Sequence, residues 1–276
     1  MKMKRSEKLG MFTGLVVGVL LLLISVFMIF QTTCKVWGAE KPANATQQGI
    51  DVSSHQGKID WEQVKNSALA DYAIIRCGYG VNQTDKDDKY WDYNSSECER
   101  LGIPYGTYLY SGADTTAKAK SEAEHVVRLL QGKNLTYPIY YDMEADMLNQ
   151  LSSTQIGNIA KTFLNTMESY GYKNVAVYSN KYLFETKLTA SVFSDYPKWI
   201  AQHSNKCTYQ GSYHMWQYST QGVIPGISEK VDLNYKIGNW TYAGYSSAKK
   251  TVVVKPKATT IKSLRKSGKK AVKITY

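Results

Sequence analysis

The sequence predicts an α/β fold, an irregular (β/α) barrel of about eight strands, TIM-barrel-like, with its late helices reduced. Two observations carry this expectation. From residue 49 onward, strand-like runs alternate with helix-patterned segments five times, the order in which a mainly parallel sheet is wound. Three more strand-like pieces then come with little helix between them, and about eight strands suit a closed barrel better than an open sheet. The stretch 49–245 is also shorter than the ~250 residues of a regular eightfold barrel, as missing late helices require.

Residues 49–53 read as the first strand, and Asp60 before Trp61-Glu62-Gln63-Val64 reads as the N-cap of a short helix. The run 72–77 (YAIIRC) is continuously apolar but for Arg76, the pattern of a strand buried on both faces. A helix over 89–101 stops at Gly102. After a strand at 105–110 (YGTYLY), Ala119, Ala123, Val126, Val127 and Leu130 recur at helical spacing across 115–130. A strand at 138–143 (PIYYDM) precedes a helix over 154–170, whose apolar face is Ile156, Ile159, Ala160, Phe163 and Met167. A strand at 174–178 comes next, the helical signal fades after 181–188, and strands at 198–202, 213–218 and 231–235 complete the set.

The flanks differ from this domain. Residues 1–8 are basic and 11–30 form an uninterrupted apolar or small-residue run of twenty. As a helix that run measures ~30 Å, the thickness of a bilayer core. Residues 1–39 therefore read as a signal peptide or a retained signal-anchor helix, either of which exports the rest of the chain, and 40–48 as a spacer. Residues 246–276 hold ten Lys or Arg and no acid, in the pattern of the opening strands of a truncated β-sandwich module. The formal net charge of +11 resides in these ends, since 40–245 carries 19 basic and 22 acidic residues. A nucleic-acid partner is thereby disfavoured, because its binding face belongs on the folded domain. Cys34, Cys77, Cys98 and Cys207 form no metal-binding pattern, so no metal or cofactor is expected.

In a parallel barrel the chemistry lies at the C-terminal ends of the strands. Asp142 and Glu144 stand there, two apart on an extended segment and so on one face. Asp51 ends the first strand and Asp232 opens the last, its neighbour in a closed barrel, so four carboxylates can converge on one mouth. Crowded carboxylates raise one another's pKa, which keeps one protonated as an acid while another stays ionised. That pairing is the chemistry of glycosidic bond cleavage. Aromatics near the strand ends, Tyr79, Tyr108, Tyr110, Tyr140, Tyr178, Trp199, Trp216 and Tyr218, offer faces for sugar stacking, each weighed against an ordinary place in the core. His55 offers a hydrogen bond within the site or a structural loop contact, and His203 has the same two readings.

GIDVSSHQGKIDW (49–61), YAIIRCGYG (72–80), GIPYGTYLY (102–110), PIYYDMEA (138–145), KWIAQ (198–202), MWQYS (215–219) and VDLNY (231–235) occur in order. This series resembles glycoside hydrolase family 25, the lysozymes or muramidases of bacteria, phages and some fungi. The resemblance implies hydrolysis of the β-1,4 bond between N-acetylmuramic acid and N-acetylglucosamine in peptidoglycan glycan strands, outside the cell, without metal. It implies Glu144 as proton donor and Asp142 as anionic partner, either as nucleophile or by orienting the substrate acetamido group. Asp51 and Asp232 then shape the charge of the site. One departure is that Gln202-His203 stand where the family often places an aromatic residue. A catalytically silent peptidoglycan-binding barrel and a chitinase-like glycosidase are the competing readings. The retained acids oppose the first, and Tyr140, where a chitinase-like signature has Asp, opposes the second. The domain is expected to act as a monomer, with a membrane contact through 11–30 if that segment is uncleaved.

Overall fold

The computed structural model describes residues 39–240, so the apolar segment 11–30 and the basic tail 246–276 lie outside the described residues. Among the described residues no helix is long and apolar enough to cross a membrane.

Eight strands close into a barrel in chain order: β1 (Ala45–Val52), β2 (Tyr72–Tyr79), β3 (Tyr105–Tyr110), β4 (Ile139–Asp142), β5 (Val175–Asn180), β6 (Lys198–Ala201), β7 (Met215–Gly222) and β8 (Val231–Ile237). Neighbours from β1 to β7 are parallel, whereas β8 runs antiparallel to both β7 and β1. The connection 223–230 explains the reversal, because so few residues make a hairpin but not the crossover of about a dozen that a parallel neighbour needs. Consequently β8 presents its first residues, not its last, at the mouth.

Helices α1 (Trp61–Ser67), α2 (Trp91–Leu101), α3 (Thr116–Leu129) and α4 (Ser153–Ser169) come after β1 to β4. The later α5 (Lys181–Thr186) and α6 (Val192–Asp195) are short, and no helix joins β6 to β7 or β7 to β8, the reduction the sequence predicts. Local chemistry sets the helix ends. Asp60 accepts from the Gln63 amide at 3.1 Å, and Ser152 and Gln155 form a reciprocal capping box on α4. Gly102 ends α2 in the left-handed region at φ 66°. One strand differs from expectation. β1 starts at Ala45, inside the stretch read as a spacer, because residues 45–48 pair with β8, as in Ala45↔Ile237 and Gln48↔Tyr235.

The barrel interior is packed. Tyr72, Ile74, Tyr140, Ala176, Tyr178, Trp199 and Met215 form one buried cluster, supplied by alternate residues of their strands. Outside, Ile156, Ile159, Ala160, Phe163 and Met167 of α4 are buried as their spacing predicts, and Phe163 stacks on Tyr141 at a centroid separation of 3.8 Å. Each of the larger side chains, alanine aside, contributes about 1.5–3 kcal/mol of burial. Gly226 fastens the β7–β8 hairpin to α1: its carbonyl accepts from the Asp60 amide at 2.9 Å, and its φ of +93° is one that side chains rarely adopt.

Candidate active site

The four acids sit together at the mouth. Asp51 and Asp232 are direct cross-strand partners on β1 and β8. Asp142 closes β4, in register between Tyr110 of β3 and Tyr178 of β5. Glu144 lies just past the strand on backbone held from both sides. The Met143 amide donates to the Tyr178 carbonyl at 2.9 Å, Ser179 Oγ donates to the Met143 carbonyl at 2.6 Å, and the Ser111 amide donates to the Asp142 carbonyl at 2.9 Å. Asp51 and Asp142 are buried, while Glu144 and Asp232 are partly exposed.

Burial dominates the electrostatics. Desolvation and then the nearby Asp232 charge raise Asp51 well above the usual carboxylate range, against hydrogen bonds from Asn234 and Gln217. Desolvation, Glu144 and Asp51 raise Asp142 likewise, opposed by the Arg76 guanidinium. Glu144 is raised by desolvation and Asp51, and held back by a hydrogen bond with Tyr178 and by the charge of His203. Asp232 is pushed from 3.8 up to about 6, chiefly by burial. The four therefore give up their protons less readily than isolated carboxyls, and each ionisation opposes the next.

A polar network holds these carboxylates. Trp199 Nε1 donates to Asn234 Oδ1 at 2.8 Å, and Asn234 Nδ2 donates to Asp51 Oδ2 at 2.7 Å. Gln217 Nε2 reaches Asp51 Oδ2 at 3.0 Å and Asp232 Oδ2 at 3.3 Å, while its Oε1 accepts from Tyr178 at 3.0 Å. Arg76 is fixed by Asp88 at 2.8 Å and by Ser54 Oγ at 2.9 Å. Gln217, Asn234 and Arg76 escaped the sequence reading. A strand-parity signal was available, since Asn234 stands two residues after Asp232, and Arg76 is the lone charge in an apolar strand.

The expected aromatics separate by strand parity and depth. Tyr79 is exposed at the rim, Tyr110 is half-buried near Asp142 and Glu144, and His55 is exposed on the 3-10 turn after β1. Tyr108 is half-buried, edge-on to Trp199, and Tyr178 touches the acids. Four need correction as sugar contacts. Tyr140 faces inward but one layer below Asp142; it is fully buried, bonds to His214 Nε2 at 2.9 Å and stacks on that ring. Trp199 is likewise buried below the acids and is linked to them through Asn234. Trp216 and Tyr218 alternate with Gln217 and face away from the lumen, where Trp216 Nε1 donates to the Gln202 carbonyl and Tyr218 stacks on Tyr235. Among the described residues no group of three or more His, Cys, Asp or Glu side chains is arranged to hold a metal ion.

The barrel mouth carries a buried Asp and, two residues on, a Glu raised above its ordinary value, and comparison with known proteins defines the lineage. The family described as glycosyl hydrolases family 25 matches residues 50–227. The chain belongs to that family. Among curated relatives, the uncharacterized protein YegX of Escherichia coli K12 is 27% identical over 199 residues, covering 70% of each chain. The autolytic lysozyme of Clostridium acetobutylicum is 30% identical over 188 residues, 68% of this chain and 55% of that one. Among solved structures, the modular autolysin LytC of Streptococcus pneumoniae is 33% identical with a TM-score of 0.63, over 68% of this chain and 46% of that one. This chain thus aligns with about half of that autolysin's length. A family 25 glycosyl hydrolase from Bacillus anthracis, 20% identical with a TM-score of 0.64 over 74% of this chain and 95% of that one, shares the fold.

Proposed function

We propose that this family 25 chain is a cell-wall lysozyme, an N-acetylmuramidase that hydrolyses the β-1,4 bond between N-acetylmuramic acid and N-acetylglucosamine. The observation that carries the proposal is the pair Asp142–Glu144, clamped at the barrel mouth with both carboxyls raised and the more accessible one placed to give a proton. Glu144 donates its proton to the leaving glycosidic oxygen as the C–O bond breaks. The positive charge then developing at the anomeric carbon is met by Asp142, which either bonds to that carbon or orients the substrate acetamido oxygen to do so. Water, deprotonated by the Glu144 carboxylate, then adds to the anomeric carbon, which restores the acid and leaves a reducing sugar. Asp142 Oδ1 is buried and accepts no hydrogen bond from the described residues, which keeps it available for either role.

Asp51 and Asp232 serve as charge-setting groups on the opposite wall. Tyr79, Tyr110, Tyr108, Tyr178 and His55 remain as contacts for the glycan, the last four near the acids or beside the first strand. Export through 1–39, cleaved or retained, places the enzyme at the cell surface, where its partner is the glycan strand.

The test is digestion of purified bacterial peptidoglycan by the full chain, with fragment ends identified by mass spectrometry, beside Glu144→Gln. Fragments with reducing N-acetylmuramic acid ends, lost with the substitution, support the proposal. Binding without cleavage selects a silent wall-binding barrel instead. Reducing N-acetylglucosamine ends select a different bond.

A further inference from the structure

His203, on the segment after β6, is exposed and sets Nε2 3.0 Å from Gln217 Oε1. The hydrogen bonds of Gln217 give its orientation. Its NH2 group faces the Asp51 and Asp232 carboxylates, so Oε1 faces Tyr178 and His203. An amide oxygen only accepts, so His203 carries a proton on Nε2. Its Nδ1 makes no hydrogen bond among the described residues.

Tyr178 makes this contact consequential. Its hydroxyl donates to Gln217 Oε1 at 3.0 Å and also holds the Glu144 carboxyl down, which it does by donating to the ionised form, yet it has one proton. While Glu144 is protonated, Tyr178 donates to Gln217. Once Glu144 has lost its proton, the hydroxyl turns to the new carboxylate, and His203 Nε2–H remains as the donor that holds Gln217. We propose that His203 is a positioning residue of this active site. It keeps Gln217 bridged to Asp51 and Asp232 through the proton-transfer step, and its imidazole is the cationic side chain set beside Glu144. The catalytic consequence rests on the muramidase reading above.

The surroundings give the charge its effect. It acts on Glu144, and the groups around that carboxyl are Asp51 from β1, Asp232 from β8, Asp142 from the end of β4 and the Tyr178 hydroxyl from β5. From β3, Tyr110 senses Asp142, Glu144 and Asp146, while the cation on β2, Arg76, is paired with Asp88. A protonated His203 lowers the pKa of Glu144. Removing that charge raises the pKa, so the acid keeps its proton to higher pH and the basic limb of the rate profile moves upward.

The experiment is a carbon NMR titration of the Glu144 carboxyl in the full chain labelled with 13C-glutamate, with the pH profile of peptidoglycan cleavage beside it. The variants are His203→Gln, which keeps an N–H donor without the charge, and His203→Phe, which keeps neither. Both variants should raise the Glu144 midpoint by about 0.3–1 pH unit and move the basic limb with it. His203→Phe should lose a further factor of about ten in kcat relative to His203→Gln, because Gln217 Oε1 is left without a donor as Glu144 ionises. A Glu144 midpoint unchanged in both variants, or equal kcat for the two, overturns the inference. A shifted midpoint in a chain that releases no reducing ends keeps the charge coupling and removes the muramidase reading. Cleavage with superposed pH profiles does the reverse.

Discussion

Asp232→Asn should stabilise the folded chain near neutral pH while lowering its activity, and the gain should vanish on acidification. Asp232 titrates at about 6 in the fold, against 3.8 for an ordinary carboxyl, so the folded state binds its proton more tightly than the unfolded state does. Between those two values the folded state carries more protons, and stability falls as pH rises through the window. At 1.36 kcal/mol per pK unit, the displacement from 3.8 to about 6 corresponds to a penalty of about 3 kcal/mol, fully present above the folded value. Partial exposure and the proton shared with Asp51 reduce the working expectation to about 1–3 kcal/mol. Asparagine removes the carboxyl, and its amide can donate to Asp51, whose pKa then loses the contribution of a neighbouring charge. The assay is urea unfolding at pH 4, 5, 6 and 7, monitored by tryptophan fluorescence, for parent and variant. Comparing the two cancels the other titrating groups, including Asp87, whose lowered pKa acts in the opposite direction. A stability difference that is the same at pH 4 and pH 7 refutes the reasoning.

Other substitutions address separate links in the structure. Glu144→Gln should reduce peptidoglycan turnover by about 10²–10⁴-fold while pull-down on insoluble peptidoglycan persists, since a neutral amide cannot donate the proton to the leaving oxygen. Asp142→Asn should cost more in kcat than Asp51→Asn, and steady-state assays showing the reverse order reassign the two. Glu122→Ala removes the acceptor of Ser111 Oγ at 2.9 Å, Tyr141 at 2.6 Å and the Gly112 amide at 2.8 Å, all beneath the β3–α3 loop. Thermal unfolding should report a loss of about 2–4 kcal/mol. Gly226→Ala places a Cβ 2.3 Å from the Asp60 carbonyl at a φ of +93°, so it should detach the β7–β8 hairpin from α1 and cost about 2 kcal/mol or more in the same measurement.

The barrel was legible because its parallel strands advertise themselves locally. YAIIRC and PIYYDM are apolar runs between helices with a 3.6-residue period, and every one of those strands recurs within a few residues of its expected place. The first half of β1 was not legible. Residues 45–48 become a strand by pairing with β8 some 190 positions away, and no local pattern encodes that partner. The reversal of β8 comes from a short connection, so it was implicit in the spacing of elements even though the position of Asp232 could be used without it.

For the site, chain order and strand parity single out Asp51, Asp142, Glu144 and Asp232, because a carboxylate at a barrel strand's mouth end has one place to go. Depth is another matter. Tyr140 and Asp142 share a face of one strand, yet two residues of rise separate a buried core ring from a reacting group. Trp216 and Gln217 are adjacent, yet one faces outward and the other bridges two carboxylates. Residue type and order were enough for the fold class, the family and the acids. Closure of the barrel was needed to sort the core aromatics from those at the mouth, and to bring Gln217, Asn234 and His203 to the protons of the site. Hydrogen bonds across a barrel join residues whose neighbourhood exists only once the sheet has closed.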